Sequence, residues 1–424
     1  MKRNITFPVA AFLLAVLPIG FSACIKDKCK ATRTYTWYEP VYKSKEEVRA
    51  NIKSNPPTAL KKTGKLYVFG NYIFLNEVDK GVHVIDNSNP SKPRNVAFID
   101  IPGNQDIAVK DNMLYADLYD DLVTIDVSDP AAVSVKKIID HVFPERNWGY
   151  GFYPDNSKVI VDWIRHDSTV KESCDNSNNP ISFSGGGRPG GMVFFATAAN
   201  NQAISPVGIG GSMARFTIVN NYMYAVDRHT LKLISLDNAS NPVLSSEMGA
   251  GWDIETIYPF KNKLFLGSQV GLFVFDISNP ASPVQQGTFT HARACDPVVA
   301  DDDFAYVTLR EGTFCGPANN ELDVINVQNL PATTLLKTYP MTNPAGLAKD
   351  NNLLFICDGA GGLKVYNASN PQNLQLADKV SNIETYDVIA YNNKAIVVAS
   401  DGLYQYHYTN NGNIYLLSKL SVQK

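Results

Sequence analysis

Short apolar runs alternate with turn residues along most of the chain. Residues 113–118 form an apolar-rich run of strand length, and residues 122–127 form a second run that is rich in β-branched residues. Asp111-Asn112 precedes the first run, and such a pair tolerates the positive φ angles of a two-residue hairpin turn. Pro130 ends the unit because it cannot donate to a continuing ladder. The pattern predicts antiparallel strands joined by tight turns.

The hairpin pair recurs at a nearly constant spacing. Its copies are Gly70-Asn71, Asp111-Asn112, Asp155-Asn156, Asn220-Asn221, Lys261-Asn262, Asp302-Asp303, Asp350-Asn351 and Asn392-Asn393. The second positions lie 41, 44, 65, 41, 41, 48 and 42 residues apart. A period near forty with four strand signals per copy is typical of a β-propeller. We therefore predict an all-β fold, an eight-bladed β-propeller of four-stranded antiparallel blades over residues 63–424. The alternative, an all-β sandwich with accidentally similar hairpins, does not explain eight phased turns.

The third repeat departs from this pattern. Residues 159–164 form a clear strand signal, but residues 165–191 are polar and rich in glycine before a strand signal resumes at residues 192–197. The long spacing of 65 residues falls on this copy. Seven blades is the alternative count, and it applies if this repeat lies outside the ring.

Composition and charge narrow the class of protein. The 424 residues are 45% hydrophobic and 19% charged, which is ordinary for a globular protein. The net charge is −3, and the chain has no basic run of the kind that binds nucleic acid. We expect no nucleic-acid partner, and we expect the protein to be monomeric.

The N-terminus has the features of an export signal. Lys2 and Arg3 precede an apolar run at residues 5–19, and Ser22-Ala23-Cys24 resembles a bacterial lipobox, although Phe21 departs from the usual Leu. We predict a lipoprotein signal peptide over residues 1–23 and an acylated Cys24 that anchors the protein to a membrane. The alternative is an ordinary secretory leader. The expected location is the cell envelope, as an outer membrane lipoprotein, with exposure at the cell surface left open.

Residues 24–62 are predicted to be a tether with a short strand and a short helix. Ser44 and Glu47 have the spacing of a capping box at the start of that helix.

The third strand of each repeat carries a family resemblance. These strands read Val82-His-Val-Ile-Asp86, Leu122-Val-Thr-Ile-Asp126, Leu272-Phe-Val-Phe-Asp276 and Leu363-Lys-Val-Tyr-Asn367. With the Ser-Asn-Pro turns that follow three of them, they resemble the LVIVD-repeat family of secreted and surface propellers, over residues 63–422. The resemblance implies a propeller that is exported to the cell envelope. It implies no catalytic residues.

The sequence contains no recognisable motif for catalysis or metal binding. The six histidines have no metal-ligand spacing, and the chain has no HExxH, EF-hand or GxxxxGK[ST] motif. Gly208-Ile-Gly-Gly-Ser212 is rich in glycine, but we interpret it as a connector between blades. We therefore predict no catalytic residue, metal or cofactor.

The cysteines suggest one disulfide, because export permits disulfide formation. Cys295 lies where the chain enters the inner strand of one predicted blade, and Cys315 lies in that blade's loop between its second and third strands. These two connections share one face of an up-and-down blade. We predict a Cys295–Cys315 bridge, with Cys357 as the competing partner, and the alternative is three unpaired cysteines.

The same face, which we call the loop face, gathers polar and aromatic residues. The predicted binding residues are Arg215, Asp227, Arg228, His229, Trp252, Asp253, Glu255, Arg293, Asp296 and Arg310. Asp106, Asp120, Trp148, Glu311 and Asp358 lie on the same connections. Mixed charge with aromatic side chains at a channel mouth suits a ligand or partner surface. The alternative is a set of solvated loops and ion pairs that close the channel.

Two functions are consistent with these features. The first is a non-enzymatic surface module that binds a protein or a glycan. The second is an exported hydrolase or lyase that uses carboxylates of the loop face. The missing nucleophile and metal motifs favour the first, although the fold alone does not decide between them.

Overall fold

The computed structural model describes residues 30–147, 151–152, 154–173, 208–291, 297–311 and 319–423. The described residues fall into two compact units. One consists of residues 30–39 and 164–173, and the other contains all the rest. No helix in the described part of the chain is both long and apolar enough to cross a membrane.

The described part of the chain begins with β1 (Lys30–Ser44), the helix α1 (Lys45–Arg49) and β2 (Lys53–Asn55). The capping box predicted for the helix is confirmed. Ser44 Oγ accepts a hydrogen bond from the Glu47 N–H at 3.1 Å, and Glu47 Oε2 accepts one from the Ser44 N–H at 3.0 Å.

In the described part of the chain, seven four-stranded antiparallel blades form a propeller, and β2 and a later strand extend the sheet of the first blade to six strands. Blade 1 contains β3 (Thr63–Phe69), β4 (Tyr72–Glu77), β5 (Gly81–Asp86) and β6 (Arg94–Asp100), and blade 2 contains β7 (Ile107–Lys110), β8 (Met113–Leu118), β9 (Asp121–Asp126) and β10 (Ser134–Ile139). Next come a 3₁₀ helix, η1 (Pro144–Asn147), and two strands outside the repeats, β11 (Lys158–Ser173) and β12 (Ile209–Gly210). Blade 3 contains β13 (Phe216–Val219), β14 (Tyr222–Val226), β15 (Thr230–Ser235) and β16 (Val243–Gly249), and blade 4 contains β17 (Ile254–Phe260), β18 (Lys263–Ser268), β19 (Gly271–Asp276) and β20 (Val284–Thr290). Blade 5 contains β21 (Val298–Ala300), β22 (Phe304–Leu309), β23 (Glu321–Asn326) and β24 (Thr334–Pro340). Blade 6 contains β25 (Leu347–Asp350), β26 (Leu353–Cys357), β27 (Leu363–Asn367) and β28 (Gln375–Val380), and blade 7 contains β29 (Thr385–Tyr391), β30 (Lys394–Ala399), β31 (Gly402–Tyr408) and β32 (Ile414–Ser421).

The blades close a ring through their innermost strands. β3, β7, β13, β17, β21, β25 and β29 are neighbours in that order, and β3 also lies beside β30 of blade 7. The inner strands are buried almost throughout, whereas the outer strands carry mostly exposed side chains. Every outer strand contains an irregularity in its register with the third strand. Such bulges twist an exposed edge away from pairing with other chains.

The predicted count of eight blades is wrong, and the alternative count of seven is correct. Residues 159–164 lie in β11, which pairs with β1 in a separate two-stranded sheet. The turn before β11 explains the error. The Ser157 N–H donates to Asp155 Oδ1 at 2.9 Å, as the Ser88 N–H donates to Asp86 Oδ1 at 3.0 Å after the third strand of blade 1. The pair Asp155-Asn156 therefore belongs to an Asp-x-Ser turn and not to a left-handed hairpin.

The glycine-rich segment 208–214 runs along the axis of the ring. β12 pairs antiparallel with β3, on the axial edge of blade 1. The Gly208 N–H donates to the Val109 carbonyl of blade 2 at 3.0 Å, and Ser212 Oγ accepts from the Leu347 N–H of blade 6 at 3.1 Å. A segment can contact both blade 2 and blade 6, which lie on opposite sides of the ring, only if it lies in the central channel. The connector predicted between blades thus fills part of the channel.

Glycine is required where this segment meets Tyr67. A Cβ atom at position 208 would lie 2.4 Å from Tyr67 Cε1 and 2.6 Å from the Val68 carbonyl oxygen. The Tyr67 hydroxyl also donates to the Gly208 carbonyl at 3.1 Å. The side chain of Tyr67 therefore packs directly against the glycine backbone, and a larger residue has no room there.

Candidate functional site

Connections from neighbouring blades meet on the loop face. Arg228 lies between the second and third strands of blade 3, and Asp253 lies just before the inner strand of blade 4. Arg228 Nε donates to Asp253 Oδ1 at 3.1 Å. The Arg228 side chain is 50% exposed and that of Asp253 is 13% exposed, so the ion pair lies at the surface of this face.

Trp252 is the most exposed large apolar residue of the described chain, at 70%. Its ring lies edge-on to the ring of His229, with a centroid distance of 4.9 Å and an interplanar angle of 71°. The backbone around it is fixed, because the Trp252 carbonyl accepts from Ser268 Oγ at 2.5 Å and the Ile254 N–H donates to the Arg228 carbonyl at 2.8 Å. An exposed indole on a rigid backbone can bury a large apolar area against a partner and loses little conformational entropy when it binds.

A buried charged cluster lies beneath this surface at the channel mouth. Lys65 Nζ is 3.2 Å from Asp106 Oδ2, and the same oxygen accepts from the Arg215 N–H at 2.6 Å. Lys65 also donates to the Met213 carbonyl of the axial segment. Burial, reinforced by Arg215, lowers the pKa of Lys65 to about 8 although Asp106 opposes the shift. The cluster ties blades 1, 2 and 3 to the segment in the channel.

Asp117 supports that cluster from blade 2. Its Oδ1 atom accepts from the Asn104 side-chain amide at 2.7 Å and from the N–H groups of Gln105 and Asp106, each at 2.8 Å. Its other oxygen pairs with the guanidinium of Arg146 in η1. Burial lowers the pKa of Arg146 to about 10, and the charge of Arg215 acts in the same direction. Asp117 is completely buried, so it is a structural carboxylate that shapes the mouth.

Glu255 and Arg310 continue the charged cluster into blades 4 and 5. Glu255 is 4% exposed, and its Oε1 atom accepts from Gln269 Nε2 at 2.8 Å. Burial raises the pKa of Glu255, whereas the hydrogen bond from Gln269 and the charge of Arg215 oppose that rise. Burial also lowers the pKa of Arg310, and the charge of Glu255 opposes that shift. The charge of Arg215 therefore acts on Glu255, and the charge of Glu255 acts on Arg310.

A second acidic cluster lies where blade 2 meets α1. Ligand atoms of Asp120, Asp121 and His141 lie within 4.8 Å of one another, an arrangement that suits a metal ion. Lys45 Nζ, however, lies 2.9 Å from Asp120 Oδ2 and 2.6 Å from Asp121 Oδ1. The lysine therefore supplies the positive charge that these carboxylates need. The sequence does not reveal this cluster, because the three residues have no motif spacing.

The predicted site residues have different environments in the structure. The structure describes Arg215, Asp227, Arg228, His229, Trp252, Asp253 and Arg310, which lie between strands, and Glu255, which lies at the start of β17. Arg293, Asp296 and Trp148 lie outside the described residues, as do Cys24, Cys295 and Cys315. Cys357 is a free, fully buried thiol, and burial raises its pKa.

Two other carboxylates of this face have structural partners, Asp358 in the backbone and Asp120 in a lysine side chain. Asp358 Oδ1 accepts from the Thr342 and Asn343 N–H groups at 2.8 and 2.9 Å, and Asp120 pairs with Lys45. Sequence reasoning missed Lys65, Asp117 and Arg146. The available signal was a charged residue inside an apolar run of strand length, as for Asp117 in Leu114-Tyr-Ala-Asp-Leu118.

The profile of the LVIVD repeat matches residues 61–98, 103–141 and 264–291. The chain is a β-propeller that contains LVIVD repeats. The matches fall in blades 1, 2 and 4. No match was found among curated proteins.

Three solved structures of low sequence identity are similar to this chain. The computationally designed Ika8 protein is 10% identical, with coverage of 86% of this chain and 90% of the other and a TM-score of 0.49. BamB from Moraxella catarrhalis is 8% identical, with coverage of 79% and 81% and a TM-score of 0.48. A protein from Lactobacillus plantarum is 13% identical, with coverage of 85% and 97% and a TM-score of 0.47.

Proposed function

We propose that this LVIVD-repeat β-propeller is a non-enzymatic binding module that presents its loop face to a protein or a glycan. The observation that carries the proposal is Trp252, an indole that is 70% exposed while hydrogen bonds fix its backbone. A monomeric protein gains nothing in stability from an exposed tryptophan, whereas an interface gains a rigid anchor. The adjacent Arg228–Asp253 pair supplies both donors and acceptors at the rim.

Binding energy at such a surface concentrates in a few large side chains. We expect Trp252→Ala and Arg215→Ala each to weaken binding by about 1–3 kcal/mol, which corresponds to roughly 5-fold to 150-fold in Kd. The experiment is to probe glycan and protein arrays with the full chain and then to titrate the captured partner with each variant.

The matched controls lie on the opposite face. Asn89 and Asn279 hold turns there through their side-chain oxygens, so their alanine variants are expected to leave Kd unchanged and to lower stability slightly. The proposed site is wrong if Asn89→Ala and Asn279→Ala weaken binding while Trp252→Ala does not.

Export and anchoring are part of the same proposal. The basic start, the apolar run and Ser22-Ala23-Cys24 support acylation of Cys24, which would keep the loop face at the cell envelope. We expect Cys24→Ala to move the protein from the membrane fraction to the soluble fraction of expressing cells. Cys357→Ala is the control, because that thiol is buried inside blade 6. Unchanged fractionation of the Cys24 variant would reject the lipid anchor.

A further inference from the structure

The smaller compact unit, residues 30–39 and 164–173, is a two-stranded ribbon formed by parts of β1 and β11. No further strand pairs with this ribbon in the described part of the chain. Thr36 Oγ1 donates to Asp167 Oδ1 at 2.6 Å, and both side chains are exposed. The other exposed side chains on this side of the ribbon are Thr34, Arg165 and Thr169. One face of the ribbon is therefore polar.

The opposite face of the ribbon, which we call the ribbon face, is apolar and exposed. Side chains alternate between the two faces of a strand, so Trp37 points away from Thr36 and shares a face with His166. Their rings stack with a centroid distance of 4.1 Å and an interplanar angle of 15°. Ile164 and Val170 share this face, because each is an even number of positions from His166. Trp37 and Ile164 are each 48% exposed, and Val170 is 44% exposed.

Two polar groups of the ribbon face have partners within the ribbon. Trp37 Nε1 donates to Ser168 Oγ at 3.1 Å, and His166 Nε2 lies 2.9 Å from Glu39 Oε2. Transfer of the indole and the imidazole out of water therefore leaves neither group without a hydrogen bond. A two-stranded ribbon is only marginally stable in water, so covering its apolar face would also stabilise it.

The chain that precedes the ribbon indicates what covers this face. Lys30, at the start of β1, follows Cys24, the proposed site of acylation, by six positions. An extended chain of this length spans at most about 20 Å. Acyl chains on Cys24 would therefore hold the start of the ribbon close to the lipid headgroups. Tryptophan is enriched at that depth because its ring is amphipathic.

The charge of this part of the chain suits an anionic lipid surface. Residues 24–39 contain four basic and two acidic residues. One of the acids, Glu39, is paired with His166. Basic residues beside an exposed apolar face are typical of segments that lie in a membrane interface, where they contact lipid phosphates.

We propose that the ribbon face docks on the lipid headgroup region of the membrane to which Cys24 anchors the protein. Trp37, Ile164 and Val170 insert between headgroups and the upper part of the acyl chains, and the basic residues contact phosphates. The inference rests on the lipid anchor proposed above and names the protein surface that meets the lipid. Such a contact would hold the ribbon in one orientation on the membrane.

The test is quenching of tryptophan fluorescence in the full-length protein, purified from cell membranes and reconstituted into vesicles. The vesicles contain three parts of phosphatidylcholine, brominated near the headgroup end of its acyl chains, and one part of phosphatidylglycerol. Trp37 is one of four tryptophans, so bromination should remove at most about a quarter of the wild-type emission. Trp37→Phe should reduce the quenched intensity at least about threefold. Ile164→Ser combined with Val170→Ser keeps Trp37 as the reporter and should reduce it at least about twofold.

Trp252→Phe is the matched control, because it removes an exposed indole that lies on the loop face. Its quenched intensity should equal that of the wild type. Thr169→Ser keeps the hydroxyl on the polar face of the ribbon and should also leave the quenched intensity unchanged. Circular dichroism and the melting temperature establish that each variant is folded.

Flotation of the vesicles separates failure of this inference from failure of the anchor. Emission that bromination leaves unchanged, in a protein that floats with the vesicles, would overturn the ribbon inference and leave the anchor intact. Quenching that survives in a folded Trp37→Phe, or that disappears in Trp252→Phe, would overturn it as well. So would shielding of Trp37 from acrylamide without quenching by brominated lipid, because a protein surface would then cover the ribbon face. A wild-type protein that does not float with the vesicles would reject both the anchor and the inference.

Discussion

Asp117→Ala is expected to lower the free energy of unfolding by about 3–5 kcal/mol, because it breaks a buried charged network and leaves its partners behind. The carboxylate is fully buried, and it accepts hydrogen bonds from Asn104, Gln105 and Asp106 while pairing with Arg146. Alanine would leave the guanidinium of Arg146 buried opposite no carboxylate at this position. Equilibrium urea unfolding of the full chain, followed by circular dichroism, measures the change.

A charge-matched control separates this effect from the mere loss of an aspartate. Asp302 pairs with Lys261 at the surface, where their side chains are 66% and 55% exposed. Asp302→Ala should therefore cost less than about 1 kcal/mol. Similar losses for the two variants would mean that the Asp117 network does not hold the channel mouth together.

Gly208→Val is expected to destabilise the propeller by about 1–3 kcal/mol or more, as overpacking of a close contact does. The added Cβ would lie 2.4 Å from the Tyr67 ring and 2.6 Å from the Val68 carbonyl oxygen, so β12 must move away from blade 1. Because Met213 and Arg215 follow on the same segment, the shift should also weaken any ligand held at the channel mouth. Urea unfolding and the titration of a loop-face ligand measure the two effects.

Gly249→Val is the control for this substitution. A Cβ at position 249, in the outer strand of blade 3, meets nothing within 4 Å, and that strand is largely exposed. Valine also suits a strand better than glycine does, so stability should be unchanged or slightly higher. If both variants lost the same stability, the axial packing of segment 208–214 would not be the cause.

The sequence predicts the propeller well because its signal is local and repeated. Gly70, Asp111, Asn220, Lys261, Asn351 and Asn392 all adopt positive φ at the predicted hairpins, with values of 56°, 49°, 56°, 53°, 48° and 48°. Each such turn needs only its own residues, so the pattern can be read without knowledge of distant contacts. The third pair, Asp155-Asn156, led to the wrong blade count because it belongs to another kind of turn, in which the Ser157 N–H donates to the Asp155 side chain.

The candidate site was only partly predictable, for a physical reason. The positions of loop residues such as Trp252 and Arg228 can be predicted, because the order of strands in each blade puts their connections on one face. The pairing of Lys65 with Asp106, and of Lys45 with Asp120 and Asp121, joins residues 41 to 76 positions apart. No local pattern encodes such contacts. The route of segment 208–214 through the channel likewise depends on blades that lie far away in sequence.

The most direct test of the central claim, that the loop face is the binding surface, is amide hydrogen exchange of the full chain with and without the partner captured on the arrays. The account predicts slower exchange at residues 227–230 and 250–255, around Arg228 and Trp252, with no change at the turns of Asn89 and Asn279. Protection confined to those Asn-Pro turns, with residues 250–255 unchanged, would contradict it.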